Sequence, residues 1–196
     1  MRKLVNQYRQ LLTNYDSVLA YSLLGVIGGI ASGLVILAFE QAIVLMATLW
    51  GVGARGEGFE SLPSVMHFTL PLAGALVLGL CYRFLRSEDR ETGIIHVLSR
   101  MHSHYGALPA KNALVQFIGG AFALGSGLSG GREGPGVHLG AASGSYLAQK
   151  QGVSADDEYT LIACGAAASI AAAFNTPLAG ALFVIEVLQV RYRITR

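Results

Sequence analysis

Residues 17–39 read SVLAYSLLGVIGGIASGLVILAF, 23 positions without an Asp, Glu, Lys or Arg. A hydrocarbon core of about 30 Å is crossed by roughly 20 apolar residues in a helix, so this run alone is long enough to span a bilayer. It is not isolated. Charge-free runs recur at 61–82, 112–131, 134–149 and 159–185, with lengths of 22, 20, 16 and 27 residues. Over the whole 196-residue chain only 13% of residues are charged and 53% are hydrophobic. A soluble globule needs about 25% charge, and disorder needs low hydrophobicity with high net charge. Both classes are excluded. Cys81 and Cys164 are the only cysteines and each lies in an apolar run, which excludes a disulfide scaffold. A net charge of +2 gives no reason to expect a nucleic-acid partner. The fold expected is all-α: a polytopic transmembrane helical protein, one domain over residues 1–196, embedded in a lipid bilayer. A signal peptide is a poor reading of the N-terminus, because the apolar run begins only at Ser17 and exceeds the 7–15 residues of a typical h-region.

Lys and Arg near span ends set orientation. Arg2, Lys3 and Arg9 precede the first run. Arg83, Arg86, Arg90, Arg100 and Lys111 lie in the polar stretch 83–111, and Arg191, Arg193 and Arg196 end the chain. These three segments are expected on the cytoplasmic side, in the cell (inner) membrane. The segment 1–16 would be a cytoplasmic N-terminus, and the Gly-rich loop 51–60, with Arg55 alone, would face out. Gly25, Gly29 and Gly33 fall at i, i+4 and i+8, a spacing that predicts close approach of another helix. Glu40 is expected near a helix end at the outer face. Pro63 and Pro71 predict a late start or a kink in the second span. Trp50 and Tyr105 sit near span ends, as aromatic belts do.

The second half is less regular. Residues 112–131 can span. Residues 134–149 cannot, since 16 helical residues rise only about 24 Å. Asn175-Thr176-Pro177 breaks the last run, with Asn175 or Thr176 capping and Pro177 at a first helical position. Ser154-x-x-Asp157 is a capping arrangement before that run. Short and interrupted apolar segments are what transporters place at their binding sites.

The chemistry is concentrated in residues 125–136, GSGLSGGREGPG. Glycine dominates, then a base and an acid precede Gly134 and Pro135. Proline suits a first helical turn, so a helix is expected to start at about Gly134–Pro135. Its free amides and dipole would offer positive potential, and the glycines would let backbone approach an anion. Glu133 is itself an anion tethered beside that site. Ionised, it occupies the site; protonated, it leaves, which makes it a gate and a proton carrier. The plainer alternative is a surface ion pair between Arg132 and Glu133. Gly125-x-Gly127-x-x-Gly130 also fits a dinucleotide fingerprint, but no acid lies between Glu133 and Asp156. A phosphate-binding P-loop fails because Gly131 stands where its lysine is required. His96, His102 and His104 read as a solvated loop rather than a metal site. His138 reads as a packed, hydrogen-bonded side chain rather than a pH sensor. No metal is expected.

These residues resemble the chloride channel (CLC) family of anion channels and proton-coupled anion antiporters. Gly131-Arg132-Glu133-Gly134-Pro135 matches the family's G-[KR]-E-G-P. Gly165-Ala166-Ala167-Ala168 through Ala173-Phe174-Asn175-Thr176-Pro177-Leu178-Ala179-Gly180 resembles GAAAG…AAFNAPLAG, and Phe183-Val184-Ile185-Glu186 fits F-x-I-E. The motifs cover about 112–193. The resemblance implies the first of two inverted halves, with short and broken helices, transporting chloride or a similar small anion without a cofactor. It also implies no enzymatic activity. The gating glutamate falls on Glu133, and backbone at Arg132, Glu133, Gly134 and Pro135 would form the outer anion site. The family's G-S-G-[IV]-P segment aligns with Glu91-Thr92-Gly93-Ile94-Ile95, so Thr92 and Gly93 would line an inner site. A helix cap in a charged loop is the other reading of Thr92.

Antiporters of the family usually carry a second glutamate directly after I-E. Here that position is Val187, and Glu186 is the neighbour available for a proton path. The departure leans towards a channel, or an exchanger with another proton route. The family's second half supplies a tyrosine hydroxyl and amides to the same sites. Its absence from this sequence leads to the expectation of a truncated product or a partner chain, and of a homodimer when full-length. The alternative function is a non-transporting half-length membrane protein.

Overall fold

The computed structural model describes residues 18–53, 58–103 and 107–188. The basic residues Arg2, Lys3, Arg9, Arg55, Arg191, Arg193 and Arg196, together with His104 and Tyr105, lie outside the described residues. Among the described residues the chain is helical, with no strand. Helix α1 is Val18–Leu49, α2 is Ser64–Phe84, α3 is Gly93–Ser103, α4 is Ala110–Gly125, α5 is Glu133–Gln151, α6 is Ala155–Phe174 and α7 is Pro177–Val187. Short 3-10 turns at Gly58–Ser61 and Glu88–Arg90 join α1 to α2 and α2 to α3.

Helix α1 runs through Glu40 without a break, so the expected helix end at that acid is wrong. The hydrophobic pattern on both sides of Glu40 is continuous, and one carboxylate able to find a basic partner does not stop a helix. Its 32 residues make it roughly 48 Å long at 1.5 Å per residue. Two helices, Ser22–Leu49 and Ser64–Phe84, are long and apolar enough to cross a membrane. Pro63 immediately precedes α2, which gives the expected late start, and Pro71 is carried inside the helix. Helix α4 is shorter than expected, with 16 residues ending at Gly125, because the Gly-Ser run that follows takes up a turn.

Helix α5 lies at the centre, against α1, α3, α4 and α6. Its tightest contact is with α6. A Cβ on Gly140 would overlap the Gly165 carbonyl oxygen, and one on Gly144 would overlap that of Leu161. Close backbone approach is thus made by Gly140 and Gly144, four residues apart, and not by the glycines of α1. Gly25 and Gly33 have nothing within 4 Å of a Cβ, and Gly29 meets Ala168 at an ordinary 3.8 Å. The buried stripe of α1 is Leu24, Gly28, Ser32, Ile36, Phe39, Ile43 and Ala47; Gly25 and Gly33 lie beside it. The main core joins Val97 and Met101 of α3, Val137 and Ala141 of α5, Ile162 and Ala166 of α6, and Val184 of α7.

The outward surface is apolar. Leu23, Ile30 and Leu37 of α1, Phe68 and Leu76 of α2, and Leu178 of α7 are exposed, as a lipid-facing surface requires. Helix α2 leans on α4, and Gly74 is its buried residue. The expected break between the last two helices is present. Asn175 caps α6 in a left-handed conformation (φ 53°), and Pro177 opens α7. Thr176 precedes Pro177 but makes no side-chain capping bond. Ser154 accepts a hydrogen bond from the Asp157 amide at the start of α6, as its spacing predicts. Both cysteines are free thiols.

Candidate functional site

After α4 ends at Gly125, the Ser126 and Leu128 amides donate back to the Phe122 and Ala123 carbonyls. Gly127 then takes φ +80°, a conformation open to glycine and costly for most residues. The reversed chain enters α5 at Glu133, one residue earlier than the sequence suggests. Arg132 is the capping residue, without a side-chain cap, and its carbonyl accepts the Gly136 amide at 2.9 Å. Helix geometry leaves the first amides of α5 without an acceptor inside the helix, and Pro135, the third residue, has none to offer. Positive potential therefore collects at Glu133–Gly134.

The Glu133 side chain is exposed and folds back on this end. A Cβ on Gly131 would coincide with its carboxylate. Only glycine at position 131 leaves room for it. The acid thus lies against the backbone at the leading end of its own helix. Arg132 is not its partner. Among the described residues, the carboxylate within pairing distance of Arg132 is that of Glu40, at 4.0 Å, with the two side chains 55% and 28% exposed. The expected Arg132–Glu133 pair is replaced by a tie between the middle of α1 and the start of α5.

Two clefts flank the 127–132 turn. One, of about 380 Å³, lies between Gly131 and Pro135 on one side and Tyr82 of α2 and Gln116 of α4 on the other. The second, of about 600 Å³, is lined by Glu40, His67, Phe59, Gly127 and Arg132.

Thr92 and Gly93 stand at the start of α3, where Gly93 has φ +76°. Helix α3 packs on α5, and one contact fixes their register: His96 Nδ1 lies 2.9 Å from His138 Nε2. His138 is packed and hydrogen-bonded, as expected. His96 is not in a solvated loop. It sits on α3, 3% exposed, because position 96 lies on the face that also buries Val97 and Met101. The contact ties α3 to α5 about one turn inside each helix; Thr92 and Gly93 stand at the start of the one, and Arg132, Glu133, Gly134 and Pro135 at the start of the other. Glu186 is exposed on α7, which packs on α6. Among the described residues no three His, Cys, Asp or Glu side chains come close enough to hold a metal ion.

Sequence reasoning missed two features. The Glu40–Arg132 tie joins residues 92 positions apart and carries no local signal. The Gly136/Gly140/Gly144 spacing was legible, since it is the same i, i+4 pattern that drew attention to Gly25. The His138 Nδ1 atom is buried and has no hydrogen-bond partner; such an orphan costs about 1–3 kcal/mol.

An all-helical fold with two helices long and apolar enough to cross a membrane, and a glycine turn feeding an acid onto a helix start, defines the class as a helical membrane protein. The comparisons agree. The family described as "Voltage gated chloride channel" matches residues 73–196. The H(+)/Cl(-) exchange transporter ClcA of Vibrio cholerae is 36% identical over 197 residues, covering 99% of this chain and 41% of the relative. ClcA of Citrobacter koseri is 33% identical, covering 94% and 40%. The putative chloride channel protein ClcB-like of Ralstonia nicotianae is 33% identical, covering 82% and 39%. This chain belongs to the voltage-gated chloride channel family, whose members are integral membrane transport proteins. It spans about two fifths of the length of the curated relatives it matches.

Proposed function

We propose that this chain takes part in moving chloride, or a similar small inorganic anion, across the membrane, with Glu133 as the gate. The observation that carries the reading is the Glu133 carboxylate folded over Gly131 at the start of α5. Ionised, the carboxylate competes with a free anion for amides and dipole. Protonated, it loses that attraction and vacates the site. One group then links anion passage to pH and, when it exchanges protons with both sides, to proton movement. Arg132, Gly134 and Pro135 shape the outer site, and Thr92 and Gly93 the inner one. The relatives named as H(+)/Cl(-) exchange transporters favour the proton-coupled form over a simple channel. No covalent step and no cofactor is required. The Lys and Arg counts near the span ends support a cytoplasmic N-terminus, and a homodimer is the expected assembly of the full-length protein.

The test is Glu133→Gln in protein reconstituted into liposomes. Chloride efflux should lose its dependence on pH, and chloride-driven proton uptake should vanish. Unchanged pH dependence would reject the role of Glu133. The coverage of about two fifths of the relatives motivates a second reading, in which this segment does not transport alone. Absence of chloride efflux from liposomes holding this chain alone, with efflux restored by a co-reconstituted remainder, would support it.

A further inference from the structure

Helix α2 has 21 residues, which rise about 31 Å, the thickness of a hydrocarbon core. Its outer face carries an apolar ridge. Phe68, Leu72, Leu76, Leu80 and Phe84, every fourth residue, are all exposed, and Phe84 the most, at 85%. Residues four apart are neighbours on a helix surface, so the ridge is continuous. Three arginines stand at its end. Arg83 and Arg86 are exposed on either side of Phe84 in the sequence. Arg90 folds back over the last turn of α2. Its Nε and Nη2 donate to the Leu85 carbonyl at 2.9 and 2.7 Å, and Nη2 also donates to the Arg83 carbonyl at 3.2 Å. The negative end of the helix dipole is thereby answered by Arg90, which lies against the backbone that carries Arg83.

By count the segment is neutral: Arg83, Arg86 and Arg90 are matched by Glu88, Asp89 and Glu91. The structure separates the two signs. Asp89 pairs with Lys111 of α4, and the Glu91 carboxylate lies 3.8 Å from His96 of α3. Asn112 Nδ2 donates to the Glu88 and Glu91 carbonyls at 2.7 and 2.9 Å, which pins the turn in this arrangement. Among the described residues no ion pair joins Arg83, Arg86 or Arg90 to a carboxylate. Glu88 is the exposed acid left beside them. Positive charge is therefore in surplus where the apolar ridge ends.

We propose that this end of α2 binds an anionic phospholipid, with its phosphate at Arg83 and Arg86 and an acyl chain along the Leu76, Leu80 and Phe84 ridge. Guanidinium groups suit phosphate oxygens in charge and in geometry. A zwitterionic lipid offers the same phosphate but brings an ammonium that the cluster repels. A soluble anion would use the arginines and leave the ridge without a role. Each basic side chain near an anionic leaflet strengthens attachment about fivefold. The proposal stands apart from the gate at Glu133, since it needs only that α2 lies in a bilayer.

Bromine on a neighbouring acyl chain quenches tryptophan fluorescence, which reads the site directly. The chain carries Trp50 alone, so Trp50→Phe with Phe84→Trp puts the reporter at the end of the ridge. In phosphatidylcholine vesicles, brominated phosphatidylglycerol should quench it at about one fifth of the mole fraction that brominated phosphatidylcholine needs. Adding Arg83→Gln and Arg86→Gln should bring the two lipids to within twofold. Lys150→Gln, which removes an exposed base at the end of α5, should leave the preference intact. Equal quenching by both lipids, no quenching by either, or a loss with Lys150→Gln equal to that of the arginine pair would overturn the proposal. Millimolar inorganic phosphate should not reduce the quenching; if it does, the site takes a soluble anion and the lipid reading fails. Native mass spectrometry of the unsubstituted chain avoids the reporter. It should keep phosphatidylglycerol bound in preference to phosphatidylcholine, and equal retention would again overturn the proposal.

Discussion

Gly131 and the Glu133 carboxylate occupy one volume, and the fate of one decides the place of the other. A methyl group at 131 would displace the acid from the backbone. If that seat is the closed position of the gate, Gly131→Ala should open the path. Chloride efflux at neutral pH should rise to the level that the unsubstituted protein reaches at acid pH. Efflux that keeps its acid activation in this variant would mean the seat is incidental. The acid's neighbourhood was largely legible, because Gly-Gly-Arg-Glu-Gly-Pro carries its own geometry: small residues, then a charge, then a residue suited to a first turn. Its electrostatic partnership was not. Arg132 reaches back to Glu40, and nothing in local spacing distinguishes that partner from Glu133 next door. His96 was misplaced for a related reason. Polar residues dominate 83–111, and only the burial of Val97 and Met101 on the same face takes this histidine inside.

Among the elements, the α5–α6 crossing has the least slack. Gly140, Gly144 and Gly165 bring backbone against backbone, so the contact relies on van der Waals packing where lipid offers no hydrophobic drive. Gly144→Ala should destabilise the fold by about 1–3 kcal/mol through overpacking. Gly33→Ala, with nothing within 4 Å of the added methyl, should stay within about 0.5 kcal/mol. Unfolding in mixed micelles would measure both, and equal effects would contradict the packing described. Glycine spacing alone could not rank the two sets, because membrane helices are rich in glycine everywhere and the buried stripe of α1 runs one position away from Gly29. Helix existence was legible from hydropathy, whereas helix ends were not. Residues 126–131 are as uncharged as residues 112–125 before them, yet they form a turn.

Over the whole molecule, one helix is held at the centre by four others, with its leading end turned to two clefts. Helix α5 has 19 residues, about 28 Å at 1.5 Å per residue, and contacts α1, α3, α4 and α6. The long helices α1 and α2 face outward with apolar side chains, and of the two α1 packs against α5. The His96–His138 contact keeps the start of α3 beside it. Everything functional then depends on whether that helix end binds an anion in competition with its own acid. The direct measurement is bromide anomalous scattering from crystals of the unsubstituted protein and of Glu133→Ala, soaked alike. The account predicts a bromide peak against the Glu133–Gly134 amides in the variant, and the carboxylate there in the unsubstituted protein at neutral pH. A variant with no bromide at the start of α5 would contradict it.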